Sequence, residues 1–115
     1  MIRELIDNEE FISLFNIRGR KILRTFVTSS EWKKDELEEV ALIIEWKTTT
    51  GIICDNFTFD YDARYNRQPC IYGLRNSLIE NSYNTPTSIP DSVRKAITKY
   101  FIAFGFRVSG TLWKR

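Results

Sequence analysis

Apolar and polar positions alternate most cleanly between residues 40 and 62. Val40, Leu42, Ile44 and Trp46 fall on one side of an extended chain, and Ala41, Ile43, Glu45 and Lys47 on the other, as the two-residue period of a strand requires. Thr48-Thr49-Thr50-Gly51 is expected to be a turn. The returning strand puts Ile53, Phe57, Phe59 and Tyr61 on one face, interrupted by Asp55, with Cys54, Thr58, Asp60 and Asp62 opposite. The pattern predicts a long hairpin with one apolar side.

Helical spacing governs both ends of the chain. Ile2, Leu5 and Ile6, then Phe11, Ile12, Leu14 and Phe15, recur three and four apart around an acidic break. Asp7 and Glu10 have capping-box spacing for a restart near Asn8, and Gly19 is the expected stop. Near the other end, Val93, Ala96, Ile97, Tyr100, Phe101 and Phe104 form a helical stripe, with Ser88 and Asp91 as capping box, Pro90 in the first turn and Gly105 as C-terminal cap. Phe106, Val108 and Leu112 then alternate as a final strand broken by Gly110.

Three segments carry weaker patterns. Residues 21–28 are rich in β-branched and aromatic types and predict a first strand. Ser29 to Glu39 is polar and expected to be an exposed connection, with a helical turn begun at Ser30 and Trp32 set against the core. Ile71, Leu74, Leu78 and Tyr83 are spaced as a helix, which Gly73 weakens, and 84–90 is loop by composition. The expected fold is therefore a single α+β domain over residues 1–115, in the order α-β-β-β-α-α-β. Its sheet is mostly antiparallel, with about four strands and helices packed on one face.

A length of 115 residues and 43% hydrophobic content suit one core without staples. The longest apolar run, Val40 to Ile44, is far short of the roughly 20 residues of a membrane helix. The acidic N-terminal residues do not match a signal peptide, so a cytoplasmic location is expected. Two cysteines fit that expectation: Cys54 is read as a small core residue, and Cys70, after a proline, as the more exposed.

The chain contains no histidine, which removes the commonest general base and metal ligand together. The five glycines are scattered singly, so no phosphate-binding glycine loop is present. Asp55, Asp60 and Asp62 are the most tempting acidic cluster, yet alternating acids are what a half-solvated strand carries. The aromatic segment Tyr100 to Val108 lacks the basic-Gly-aromatic opening of an RNA-recognition strand. No cofactor, metal site or catalytic residue is assigned on this pattern.

Charge is uneven along the chain. Residues 1–62 hold thirteen of the fifteen acidic residues and eight basic ones, a formal −5, whereas residues 63–115 hold nine basic and two acidic, a formal +7. Arg64, Tyr65 and Arg67, with Arg75 beyond, combine arginine forks with an aromatic ring in a polar loop, and these four are the expected partner-binding residues. With Arg94, Lys95 and Lys99 they are expected to form one basic face. The expected function is a non-catalytic protein-binding inhibitor of the toxin-immunity or phage anti-defence kind, acting on a partner with an acidic surface, a toxin or nuclease among them. The alternative is a nucleic-acid-binding module that uses the basic C-terminal half.

Overall fold

The computed structural model describes residues 2–32, 37–62, 69–79 and 85–109. Two short helices, α1 (Ile2–Ile6) and α2 (Glu9–Ser13), precede four strands: β1 (Lys21–Trp32), β2 (Leu37–Thr48), β3 (Gly51–Asp62) and β4 (Cys70–Leu78). Helix α3 (Asp91–Ala103) and the short β5 (Arg107–Val108) complete the order. The strands lie side by side as β1-β2-β3-β4-β5. The first four form an antiparallel meander, and β5 runs parallel to β4. A parallel neighbour needs a long crossover, which α3 supplies.

The hairpin has the register its alternation implies. Val40, Leu42, Ile44 and Trp46 are fully buried, as are Phe57 and Phe59, with Tyr61 nearly so. Thr48 pairs with Gly51 across Thr49 and Thr50. The Thr48 hydroxyl accepts the Thr50 N–H at 3.2 Å and donates to the Gly51 carbonyl at 2.9 Å. Gly51 leaves the turn at φ 141°, which a side chain would disfavour.

All three helices pack on this buried face, where Ile2, Ile6, Phe11, Phe15, Ile97 and Phe101 join the strand residues in one cluster. Phe11 lies at its aromatic centre, with ring centroids 5.0 Å from Tyr100, 5.3 Å from Phe101 and 5.8 Å from Phe59. The Tyr100 hydroxyl donates to the Leu5 carbonyl at 3.0 Å and ties α3 to α1. At the sheet edge, the Arg3 guanidinium donates to the Val27 carbonyl at 3.1 Å. An α1 side chain thereby occupies a β1 backbone group that an edge strand would otherwise offer to another chain.

Several expectations are corrected. The helix over 71–83 is strand β4, Tyr83 lying outside the described residues, so the sheet is mixed and five-stranded and the order differs. Ser29 to Glu39 is not a loop: β1 runs to Trp32 and β2 starts at Leu37, with Ser30 paired to Glu39. The expected docking of Trp32 falls outside the described side chains. The first helix stops at Ser13 rather than Gly19, because Phe15 and Asn16 turn to i−3 carbonyls. Its restart is capped by Asn8, whose side chain accepts the Glu10 N–H at 2.9 Å. Helix α3 has no capping box: Pro90 is its N-cap and makes no side-chain cap bond. Phe104 sits past the last turn, half exposed. Only Arg107 and Val108 of the last strand are paired, and Gly110 and Leu112 lie outside the described residues.

The cysteines exchange roles, Cys70 being buried and Cys54 half-buried. Burial pushes both thiols above their ordinary range. The backbone N–H of Ile79 bonds the Cys54 carbonyl, so Cys54 stands nine positions along β4 from Cys70, roughly 30 Å away. A disulfide between them is excluded. Among the described residues, no helix is long and apolar enough to cross a membrane.

Candidate functional site

Strand pairing assigns each residue to a side of the sheet, and the side turned away from the helices is the first candidate. Cross-strand partners share a side, which places Arg24, Phe26 and Thr28 of β1 with Glu45, Ile43 and Ala41 of β2. Cys54, Asn56, Thr58 and Asp60 of β3 follow on the same side, with Gly73 and Arg75 of β4. Among the described residues, no helix lies on this face.

Two bulges shape it. Leu23 is the extra residue between Ile22 and Arg24, and Tyr72 the extra residue where β4 passes Asp60 and Tyr61. A bulged residue twists the strand and re-aims its side chain. Leu23 is 40% exposed, Phe26 48% and Tyr72 42%, so large apolar groups stand toward solvent at both flanks of the face.

Charges on this face occur as pairs of opposite sign. Arg24 Nε donates to Glu45 Oε2 at 3.1 Å while its guanidinium carbon lies 5.2 Å from the Phe26 ring centre. Arg75 Nη2 donates to Glu39 Oε1 at 2.8 Å and to Asp60 Oδ1 at 3.0 Å. Gly73 makes room for the second contact, since a Cβ there would collide with the Asp60 carboxylate. Desolvation raises the Asp60 pKa and Glu39 adds to the rise, against the opposing pull of Arg75. The Tyr72 hydroxyl is raised by burial, then by Asp60, Asp62 and Glu39. Exposed ion pairs stabilise little. Their effect here is to hold Arg75 in place between Glu39 and Asp60.

The second arrangement is buried. Asp55 interrupts the apolar side of β3 and is fully inaccessible. Trp46 Nε1–H donates to Asp55 Oδ2 at 3.0 Å, and the Thr87 N–H donates to Oδ1 at 3.2 Å. The Thr87 hydroxyl also donates to Oδ2 and accepts from Arg20 Nη1 at 2.6 Å. Arg20 Nη1 is 4.0 Å from the carboxylate, and the guanidinium carbon lies 5.9 Å from the Trp46 ring centre. Asn76 Nδ2 donates to the Thr87 carbonyl at 2.5 Å. One carboxylate thus fixes β2, β3, the start of β1 and the loop before α3, and both of its oxygens are hydrogen-bonded, whereas the buried Asn76 Oδ1 at the edge of the network has no partner among the described residues.

The structure brings few of the sequence candidates together. Arg64, Tyr65 and Arg67 lie outside the described residues; they belong to the connection from Asp62 of β3 to Cys70, which joins strand to strand instead of strand to helix. Arg75 stands on the open face, whereas Arg94, Lys95 and Lys99 are on α3, which packs against the opposite face. These lysines and Arg94 line a groove of about 370 Å³ with Asp91 and Thr98. The single basic face is therefore divided by the sheet. Asp55 and Asp60 point to opposite sides, so the three aspartates do not share a site. The Asp55 network was missed, although an acid at an inward strand position near a buried Trp, whose N–H needs an acceptor, is a signal for it.

Comparisons with protein-family models, curated proteins and solved structures find no match. The class that the fold and surface define is a small α+β protein with a mixed five-stranded sheet, one face of which is packed by helices.

Proposed function

We propose that this protein acts by binding another protein, as an inhibitor without chemistry of its own, and that the open sheet face is its contact surface. The observation that carries this reading is the composition of that face: exposed Leu23, Phe26 and Tyr72 beside the Arg24–Glu45 and Arg75–Asp60–Glu39 pairs. Aromatic and arginine side chains at a rigid surface are the types that dominate interface energetics. Four strands of up to twelve residues span roughly 40 by 19 Å, close to the ~800 Å² per partner of a standard interface.

Alternating charge favours a protein partner over a polyanion on this face. Lys21, Arg24, Lys47 and Arg75 are matched there by Glu39, Glu45, Asp60 and Asp62, and phosphate-driven binding requires an excess of cations. The partner is expected to present an apolar ridge with acidic groups placed for Arg24 and Arg75. Toxin neutralisation is the finer form of the proposal, and Arg64, Tyr65 and Arg67, in the connection from β3 to β4, are its further candidate contacts.

Tagged protein incubated with host extract tests this. The parent is expected to retain a stoichiometric protein that Phe26→Ala with Tyr72→Ala loses and Lys95→Ala keeps. Equal retention by all three, or recovery of nucleic acid alone, overturns the proposal. A parent chain that sediments as a dimer while the double variant sediments as a monomer assigns the face to self-association instead.

A further inference from the structure

One end of the sheet carries a second, chemically different surface. Residues 16–21, the turn region 46–54 and the loop 85–90 contain Arg18, Arg20, Lys21 and Lys47 and no acidic residue. An open cleft of about 320 Å³ at this end is lined by Gly19, Arg20, Thr48, Thr49, Thr50, Ile53 and Thr85. That volume is at the lower end of small-ligand sites, about 300–1,000 Å³.

Arg20 is presented to this cleft by the Asp55 network. Its hydrogen bonding among the described residues runs through Nη1, to Thr87, with the guanidinium over Trp46 and its side chain 26% exposed. Among the described residues the Nε and Nη2 donors have no partner, and the bond to Thr87 orients the guanidinium. Such preorganisation lowers the ordering cost of binding. Asp55 offsets part of the charge on Arg20, and among the described residues no acidic side chain lines the cleft. Threonine hydroxyls both donate and accept, as a partly protonated oxyanion requires.

We infer that this cleft binds the phosphate group of a small phosphomonoester, with Arg20 as the fork and the Thr49 and Thr85 hydroxyls as its partners. Arginine pairs with phosphate through parallel charge-assisted hydrogen bonds. The inference stands apart from the open sheet face and does not depend on it.

Titration of the ¹⁵N-labelled protein with inorganic phosphate, then with ribose 5-phosphate, at ionic strength held constant with sodium chloride, tests it. Saturable shifts are expected at the amides of Gly19, Thr49, Thr50 and Gly51 with both probes, tighter for the ester. Arg20→Gln is expected to weaken binding by about tenfold or more, and Arg20→Lys by less, because charge survives but the fork is lost. Thr49→Val, in an exposed turn, provides a second variant if Arg20→Gln unfolds, and is expected to weaken binding several-fold. Lys99→Gln on α3 is expected to leave it unchanged. Absence of saturable shifts with either probe, equal shifts with chloride alone, or unchanged affinity in folded Arg20→Gln or Thr49→Val overturns the inference.

Discussion

Replacing Asp55 with alanine tests whether the buried network, rather than apolar packing alone, holds this sheet to its loops. The change removes the acceptor of the Trp46 indole N–H, the Thr87 N–H and the Thr87 hydroxyl. Hydrogen bonds to an ionised group contribute about 1.5–3 kcal/mol each, and a buried donor left without an acceptor costs about 1–3 kcal/mol. These effects overlap because the groups share one partner. Breaking a buried charge pair by deleting one member costs about 3–5 kcal/mol, and about 4 kcal/mol is the expected loss here. Arg20 is part of that cost, since its Nη1 loses the carboxylate 4.0 Å away. Urea unfolding followed by tryptophan fluorescence and by far-ultraviolet circular dichroism measures it, with the midpoint falling and the slope unchanged. Asp55→Asn keeps one acceptor oxygen but turns an amide donor toward other donors, so its loss should be smaller, about 2 kcal/mol. In the Asp55→Ala background, Thr87→Val should cost much less than in the parent. A loss below about 1 kcal/mol for Asp55→Ala, or full additivity with Thr87→Val, refutes the reasoning.

Phe101→Ala empties the contacts with Phe11, Phe59 and Phe106 and should cost about 3–5 kcal/mol in thermal or urea unfolding, against less than about 0.5 kcal/mol for exposed Lys95→Ala. Gly73→Ala forces the Asp60 carboxylate away from Arg75 and should cost about 1–3 kcal/mol as an overpacked contact; an unchanged melting temperature contradicts this. Burial holds the Asp60 carboxyl above its ordinary range, so the folded state keeps a proton that the unfolded chain has released. Its contribution to stability is therefore fully present below about pH 4 and declines as pH rises through the folded value. The melting temperature of the parent relative to Asp60→Asn should fall over that window, and a difference independent of pH refutes the assignment.

The residues that were legible in sequence are those whose surroundings are set by their own strand. Val40 to Trp46 and Ile53 to Tyr61 alternate because each alternate position meets the helices, and no long-range information was needed. Strand β4 was misread as a helix for a definable reason. The bulge at Tyr72 inserts one residue, so the inward positions are Ile71, then Leu74, Asn76 and Leu78, and the gap of three between the first two imitates a helical step. Residues 29–32 and 37–39 read as loop because all but Trp32 and Leu37 are polar and little apolar periodicity marks them. The ladder continues through them by backbone pairing, which carries no side-chain signature. Trp46 and Asp55 are nine positions apart in one hairpin and within reach of sequence reasoning. Their links to Arg20 and Thr87 depend on where two distant loops meet, and the pattern along the chain contains no trace of that.

The binding claim is tested most directly by affinity for the recovered protein partner, measured for the parent and for Phe26→Ala with Tyr72→Ala at low and at moderate salt. The double variant should bind at least about tenfold more weakly, since central aromatic contacts commonly carry 2 kcal/mol or more. Its melting temperature should stay near that of the parent, because both side chains stand toward solvent. Affinity of the parent should change only modestly with salt. Equal affinities for parent and double variant, or a steep log-linear loss of affinity with salt of the kind phosphate contacts produce, would contradict the account.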